Sequence, residues 1–409
     1  MVIRKEYARR VVPGPGPGLD LLMPSRSAAP PQVDRPDRCN AEGRLALDDG
    51  LELVGRVAGA DLPVSGEVVF NTAMAGYPET LTDPSYAGQI LVLTYPLIGN
   101  YGVPANSEIL LESGRLQSSR IQVAGLVVQH LSEHISHFSA HQTLNAWCER
   151  HSVPILHGVD TRALTQRLRE RGTMQGWLYS GALGREEAQR RAVGIEMHAE
   201  VFHRVAPTEP VRYDGGDLKI LLVDVGAKDG IVHCLRKRGA SVIRAPWHWD
   251  LASMAGDVDG VMISNGPGDP ADLGALTDQV RRMLSSFAGP IFGICLGHQI
   301  LACAAGFKTY KLKYGHRGVN QPVREAGSAR CFVTSQNHGY AVDVQRMQLG
   351  WKSWFENLND GTNEGLQCIE RPHFSVQFHP EGRPGPEDTE FLFDDFLAIA
   401  GQMRAAGFR

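Results

Sequence analysis

The stretch Pro290-Ile-Phe-Gly-Ile-Cys-Leu-Gly-His-Gln299 decides the fold of the second half of the chain. Its first five residues form an apolar run typical of a buried strand, and a helical stretch follows Cys295. Gly293 and Gly297 flank Cys295 in the G-x-nucleophile-x-G pattern of a sharp strand-to-helix turn, where a Cβ at either glycine would crowd the backbone. Such a turn exposes the sulfur at a helix N-terminus, which stabilises a thiolate. We therefore predict that Cys295 is a nucleophile, and a buried structural cysteine is the alternative.

Other loops with unusual residues also follow predicted strands. Lys219–Val225 and Asp259–Ser264 are apolar strands, and the second ends in Asn265-Gly-Pro-Gly-Asp-Pro270. Strands that alternate with helical stretches predict an α/β domain with a mainly parallel sheet covered on both faces. In such sheets ligands bind beyond the carboxyl ends of the strands. Gly266 and Gly268 leave backbone donors accessible to a ligand, and the N–H of Leu296 can donate to an oxyanion.

A His-Pro-Glu sequence follows the predicted strand Phe374–Phe378. In extended backbone, positions i and i+2 share a face, so the carboxylate of Glu381 is expected beside the imidazole of His379. Such a carboxylate fixes the tautomer and aims the other ring nitrogen. A thiol with a pKa of about 8.5 is mostly protonated at neutral pH, and a neighbouring imidazole can take up its proton to give the thiolate. Together with Cys295 the pair predicts a triad, whereas alone it is typical of an ordinary turn.

The segment Gln336-Asn-His-Gly-Tyr340 follows another predicted strand, Cys331–Ser335. We expect a turn here. The amide of Asn337 in such a turn can bond an amide or a carboxylate of a ligand, although an ordinary turn without a ligand is the alternative.

The first half, residues 43–194, is predicted to be a mixed α+β domain. Asp160 is a plausible N-cap for one helix and Gly172 its stop. Residues 195–217 are polar, contain prolines and a Gly-Gly pair, and are expected to form an irregular linker before a second domain at 218–409. The predicted strands are Val64–Asn71, Gln89–Tyr95 and Gln122–Gln129, and the predicted helices are Ser139–Arg150 and Thr161–Gly172.

Composition narrows the function classes. The chain has 409 residues, 41 Lys+Arg against 45 Asp+Glu, and a formal charge of −4, without the basic footprint of a nucleic-acid binder. No stretch approaches the roughly 18 apolar residues of a membrane span. Seven cysteines without a C-x-x-C pair favour free thiols in a reducing compartment, so we expect a cytoplasmic protein. Residues 1–42 contain the repeat Pro13-Gly-Pro-Gly-Pro-Gly18 and are expected to be a flexible extension, with organellar targeting as an alternative.

Taken together, these motifs resemble the class I (triad-type) glutamine amidotransferases, and the first half resembles the small subunit of carbamoyl-phosphate synthase. The chain is most similar to the amidotransferase region of the animal multifunctional pyrimidine-pathway protein. Because no residue follows Arg409, we expect that region to stand alone here. The resemblance is carried by Ser264–Pro270, Phe292–Gln299, Gln336–Gly339 and Phe378–Glu381 in the second half, and by Asn71–Glu79, Leu81–Tyr86, Leu93–Asn100 and Val159–Thr165 in the first.

The resemblance implies a role for each matching residue. Cys295 would form a γ-glutamyl thioester, His379 would act as general base and then acid, and Glu381 would orient it. Gly268 and Leu296 would supply oxyanion-hole amides. Because Ser85 comes from the first half, the glutamine site would lie between the two domains. The implied glutamine-site residues are Ser85, Gly266, Gly268, Leu296, Gln299, Asn337, Gly339 and Tyr340.

The resemblance also implies a partner. A large carbamoyl-phosphate synthase subunit would bind bicarbonate and two Mg-ATP and receive ammonia through a tunnel, in a hetero-oligomer. This chain has no G-x-x-x-x-G-K-[ST] motif, and we expect no metal or cofactor on it. The basic stretch from Lys308 to Arg317 is expected either to face the partner or to be a solvated strand face. Two alternatives remain: an amidotransferase for another synthetase, such as that of GMP or anthranilate, and a non-catalytic scaffold.

Overall fold

The computed structural model describes residues 41–105, 116–195 and 199–407. Almost all of the predicted flexible extension at 1–42 lies outside these residues. Within the described part, no helix is both long and apolar enough to cross a membrane.

The first domain is built on a closed seven-stranded barrel, in the order β1-β2-β8-β6-β4-β3-β9. Apolar side chains such as Leu45, Val68 and Leu156 fill it and are fully buried. Two short strands, β5 (Leu97–Ile98) and β7 (His130–Leu131), pair beside it. The barrel strands are β1 (Glu42–Leu47), β2 (Glu52–Gly59), β3 (Val64–Asn71), β4 (Ile90–Leu93), β6 (Gly125–Val128), β8 (Pro154–His157) and β9 (Met174–Ser180).

Helices pack around the barrel, so the expected α+β character is confirmed. The predicted second helix is confirmed as α3, where the Asp160 side chain accepts from the N–H of Ala163 at 2.9 Å and Gly172 ends the helix at φ 101°. The other predicted helix begins later than expected, because Thr143 caps it by accepting from the N–H of Ala146. The helices of this domain are α1 (Tyr77–Thr82), α2 (Leu144–Arg150), α3 (Thr161–Arg171) and α4 (Arg185–Arg191), with a 3₁₀ turn at Pro84–Tyr86.

The second domain contains a ten-stranded sheet in the order β10-β12-β11-β13-β14-β19-β18-β17-β15-β16. The predicted parallel part is confirmed for the neighbouring strands β12, β11, β13, β14 and β19. Antiparallel strands extend it on both sides, and of these the sequence pattern predicts the start of β16, Cys331–Ser335. The strands are β10 (Val211–Tyr213), β11 (Lys219–Asp224), β12 (Ser241–Pro246), β13 (Gly260–Ile263), β14 (Ile291–Ile294), β15 (Lys308–Glu325), β16 (Cys331–Asp343), β17 (Trp351–Asn357), β18 (Asn363–Cys368) and β19 (His373–Val376).

Helices cover both faces of the parallel part, as expected for an α/β domain. Ile220, Leu222 and Phe292 pack in one buried cluster and Leu221, Val223 and Ile291 in another, because alternate residues of a strand face opposite sides. The helices are α5 (Ala199–Val205), α6 (Asp229–Lys237), α7 (Leu251–Ala255), α8 (Gly274–Ser286), α9 (Leu296–Ala304) and α10 (Phe391–Ala405), with a 3₁₀ turn at Pro270–Leu273.

The expectation of an irregular linker at 195–217 is wrong for part of that segment. Helix α5 buries Val201 and Phe202 in the core of the second domain, and β10 pairs with β12. Burial of these apolar side chains makes the helix part of the second domain, although residues 195–217 are polar overall. The domain boundaries that were read from composition remain predictions.

The barrel packs directly against β15. The N–H of Thr173 donates to the carbonyl of Lys313 at 3.1 Å, and Lys311 Nζ lies 2.9 Å from Glu67 Oε1. Arg317 in the same strand is buried. Lys311 and Arg317 thus contact this chain's own groups, so the basic stretch is not one continuous solvated face.

Candidate active site

Cys295 stands at the turn between β14 and α9. Its backbone has a left-handed φ of 54°, and its N–H donates to the carbonyl of Val376 at 2.9 Å. A Cβ on Gly293 would overlap the carbonyl oxygen of Gly297, and a Cβ on Gly297 would overlap that of Ile263. The predicted crowding at both glycines is therefore present. The thiol sits at the N-terminus of a nine-residue helix, where backbone N–H groups favour a negative charge.

His379 and Glu381 form a buried hydrogen-bonded pair beyond the end of β19. His379 Nδ1 lies 2.6 Å from Glu381 Oε1, and both side chains are at most 1% exposed. A backbone bond from the N–H of His379 to the carbonyl of Ser335, at 2.9 Å, fixes the segment against β16. Because the ionised carboxylate only accepts, it holds the proton on Nδ1 and leaves Nε2 free to serve as a base.

A buried lysine, which the sequence patterns did not single out, contacts the carboxylate of this pair. Lys228 Nζ lies 2.9 Å from Glu381 Oε1 and donates to the carbonyl of Gly382 at 2.7 Å. Its side chain is 2% exposed. Lys228 comes just before α6, at the carboxyl end of β11, where the rule for parallel sheets already places ligand-binding loops. That rule was the signal that could have found it.

The charges of this group shift one another's pKa values. Burial alone would raise the pKa of Glu381, but Lys228 and then His379 outweigh it, and the pKa falls to about 2. Burial alone would lower the pKa of His379, but the negative charge of Glu381 outweighs it and raises the pKa. Cys295 also raises the pKa of His379, which places the thiol within electrostatic reach of the imidazole.

A cavity of about 360 Å³ opens onto Cys295 between the barrel and the second domain. Its volume is in the usual range for a small-molecule site. His379 and Glu381 are not among the residues that line it. Charged groups that the sequence patterns did not assign to the site, Glu67, Lys311 and Arg317, also line it. All eight residues expected to bind glutamine line it: Ser85, Gly266, Gly268, Leu296, Gln299, Asn337, Gly339 and Tyr340.

Hydrogen bonds between the domains position two polar side chains that line the cavity, Ser85 and Asn337. Asn265 Nδ2 donates to Ser85 Oγ at 2.8 Å, and Asn337 Nδ2 donates to Asp83 Oδ2 at 3.1 Å. The other oxygen of Asp83 accepts from the N–H of Ser85 at 2.9 Å. Ser85 is thereby held at the cavity by both domains. The sequence patterns indicated no role for Asp83 or Asn265.

The segment Gln336–Tyr340 is not a turn, as was expected, but the middle of the long strand β16. Within the segment, β15 pairs with Gln336, Asn337, His338 and Tyr340, and a register shift falls between His338 and Tyr340. The Asn337 carbonyl lies 3.6 Å from Cys295 Sγ, and Gln299 Nε2 donates to the carbonyl of Tyr340 at 2.9 Å. A strand thus forms one wall of the cavity, and the nucleophile candidate faces its backbone.

Comparisons with known proteins match both halves of the chain. The family model of the carbamoyl-phosphate synthase small chain, CPSase domain, matches residues 45–178, and that of class I glutamine amidotransferase matches residues 221–399. The arginine-specific small chain of carbamoyl phosphate synthase from Aspergillus fumigatus is 42% identical, over 95% of this chain and 86% of its own length.

Larger proteins match as well. The multifunctional protein URA2 of Saccharomyces cerevisiae is 44% identical over 94% of this chain, and the multifunctional protein CAD of Squalus acanthias is 45% identical over 88%. The matches cover 18% and 16% of those two proteins. The chain therefore spans less than a fifth of the length of these two multifunctional relatives.

Proposed function

Because this chain belongs to the carbamoyl-phosphate synthase small-chain family, we propose that it is the glutaminase subunit of a glutamine-hydrolysing carbamoyl-phosphate synthase. The observation that carries the proposal is the position of Cys295. It lies at a strained turn, on a helix N-terminus, within the electrostatic reach of His379, and at a cavity suited to a small ligand. A scaffold without catalytic function would not need this combination of features.

The first half of the reaction is acyl transfer. The Cys295 thiolate attacks the side-chain carbonyl carbon of glutamine, and the developing oxyanion accepts hydrogen bonds from the N–H groups of Leu296 and Gly268. The protonated His379 then gives its proton to the leaving nitrogen, so the carbon–nitrogen bond breaks and ammonia departs. A γ-glutamyl thioester remains on Cys295.

The second half is hydrolysis. His379, now neutral, removes a proton from water, which attacks the thioester carbonyl. The carbon–sulfur bond breaks, glutamate leaves, and the thiolate–imidazolium pair is restored. Glu381 keeps the imidazole in one tautomer throughout, and Lys228 keeps Glu381 ionised and in place.

We further propose that the ammonia passes to a large synthetase subunit, which consumes two Mg-ATP and bicarbonate in a hetero-oligomer. The matched small-chain domain at residues 45–178 supports this partner over the synthetases of GMP or anthranilate. The cytoplasm is the proposed location, and the six cysteines in the described part of the chain, all unbridged, support a reducing compartment.

The test compares two cysteine variants at opposite ends of helix α9. Cys295→Ser and the control Cys303→Ser, at the far end of α9, are each purified with the large subunit and assayed for carbamoyl phosphate formation. Cys295→Ser should lose glutamine-dependent synthesis by roughly 10³-fold or more and keep ammonia-dependent synthesis, whereas the control keeps both. Glutamine-dependent synthesis by Cys295→Ser would refute the nucleophile. A wild-type complex that makes no carbamoyl phosphate from either nitrogen source would refute the partner.

A further inference from the structure

Three buried side chains of metal-ligand type meet on three strands of the antiparallel part of the sheet. His316 lies on β15, His338 on β16 and Glu364 on β18, and each offers a ligand atom within 4.8 Å of the others. They are 8%, 5% and 0% exposed. No short spacing motif connects them, which is why the sequence led us to expect no metal on this chain.

Outer hydrogen bonds fix the tautomer of each imidazole. His316 Nε2 lies 2.8 Å from Asp360 Oδ2, and His338 Nδ1 lies 2.8 Å from the carbonyl of Tyr340. Both partners are acceptors, and for His338 this contact is shorter than the 3.1 Å contact between Nε2 and Gln336 Oε1, so we assign the hydrogen to these two nitrogens. A neutral ring then has a bare lone pair on its other nitrogen. For His316 that atom is Nδ1, and for His338 it is Nε2.

These lone pairs lie among further acceptors. His316 Nδ1 is 3.6 Å from Glu364 Oε1 and has no hydrogen-bond partner among the described residues. His338 Nε2 is 3.1 Å from the oxygen of the Gln336 amide. Glu364 Oε1 accepts from Asn357 Nδ2 at 3.0 Å, but Oε2 is buried and finds no partner in the part of the chain that the structure describes. Buried acceptors that face one another without a donor need a cation between them.

The separation of two of the three ligand atoms fits a small tetrahedral ion, and all three atoms lie within 4.8 Å of one another. With bonds of about 2.0–2.2 Å to nitrogen and oxygen, two ligands of a tetrahedron lie roughly 3.3–3.6 Å apart, which matches the separation of His316 Nδ1 and Glu364 Oε1. The outer acceptors on both imidazoles are the arrangement that orients metal-bound histidines. We propose that His316, His338 and Glu364 bind one Zn²⁺ ion.

The ion would act on structure and not on the chemistry at Cys295. It would join β15, β16 and β18 beside Asn337 and Gly339, the two β16 residues that flank His338 and line the cavity. The competing occupant is a proton on His316 Nδ1, which would make an ion pair with Glu364 and leave no place for a metal.

The test uses the full chain without an affinity tag, stripped with a chelator and then dialysed against one equivalent of ZnCl₂ or CoCl₂. Bound metal is measured by native mass spectrometry, the cobalt complex by its visible spectrum, and stability by thermal unfolding. We expect one ion per chain, a tetrahedral cobalt spectrum without an intense thiolate band, and a higher midpoint of unfolding with zinc.

Two carboxylate variants separate the site from incidental binding. Glu364→Gln should lower zinc affinity by roughly 10–100-fold or more and abolish the thermal shift. The control Glu356→Gln, on the neighbouring strand β17, should behave as the wild type. Folded wild-type chain that retains no metal would overturn the proposal, as would a thiolate band in the cobalt spectrum or equal affinities for the two variants. The wild-type measurements decide the matter even if Glu364→Gln does not fold.

Discussion

Replacing Lys228 by methionine tests the charged group behind the nucleophile. The substitution keeps the length of the side chain but removes the ammonium that lies 2.9 Å from Glu381 Oε1 and donates to the carbonyl of Gly382. Both side chains are at most 2% exposed, so water cannot replace the lost partner. Breaking a buried pair from one side costs about 3–5 kcal/mol of unfolding free energy. We expect the lower end of that range, because His379 still pairs with Glu381.

The matched control is Lys237→Met, in the α6 helix that follows Lys228. Lys237 Nζ lies 3.5 Å from Glu390, and its side chain is 52% exposed. An exposed pair of this kind contributes about 0–1 kcal/mol. Urea unfolding of both variants measures the difference. Equal stabilities for the two variants would refute the reasoning.

Activity should fall as well. Without Lys228 the carboxylate that orients His379 is less firmly held, and we expect a loss of roughly 10–100-fold in kcat/KM for glutamine hydrolysis. The control variant should hydrolyse glutamine at the wild-type rate.

The pH dependence gives a further check on the same variant. The pKa of Glu381 is lowered in the folded chain to about 2, so its contribution to stability is present above its unfolded pKa of about 4.3 and is lost as the pH falls towards 2. Without Lys228 this lowering is smaller. The stability difference between wild type and Lys228→Met should therefore shrink below pH about 4. A difference that stays constant down to pH 2 would contradict the assigned charges.

Three other predictions concern the orienting carboxylate, the glutamine site and the turn. Glu381→Gln removes the charge that raises the pKa of His379 and should lower kcat for glutamine hydrolysis by roughly 10²–10⁴-fold, as measured by glutamate release; an unchanged kcat would contradict the role. Ser85→Ala should raise KM for glutamine by about 10-fold with a smaller change in kcat, since one hydrogen bond to a charged ligand group is worth about 1.5–3 kcal/mol; a change in kcat alone would argue against substrate contact. Gly297→Ala should lower the free energy of unfolding in urea by about 1–3 kcal/mol, because the added Cβ would overlap a carbonyl oxygen. The control Gly256→Ala, which has open space around it, should leave that free energy unchanged. Equal effects of the two substitutions would refute the crowding argument.

The sequence predicted those parts of the site that depend on local backbone rules. The two glycines around Cys295, the i to i+2 spacing of His379 and Glu381, and the loops at strand ends each follow from the geometry of a few consecutive residues. The structure places them as expected. Assignment of the eight cavity residues came from the family resemblance, since no local rule connects Ser85 with Asn337.

Features that depend on contacts between distant segments were missed. Lys228 reaches Glu381 only because the strands β11 and β19 share one sheet, and sequence spacing does not reveal strand order. The strand β16 continues through Gln336–Tyr340 because β15 pairs with it before and after two register shifts, which turn-forming residues do not indicate. Helix α5 forms in a polar segment because a few of its apolar side chains are buried in the core of the second domain.

The measurement that tests the central claim most directly is the trapping of the acyl intermediate. The chain is mixed with isotopically labelled glutamine, quenched in acid within the first turnovers, digested and analysed by mass spectrometry. A γ-glutamyl group on Cys295, and not on Cys303, is the predicted result, and Lys228→Met should accumulate it more slowly. Glutamine hydrolysis that proceeds with the label on another residue, or with Cys295 unmodified at every time point, would contradict the account.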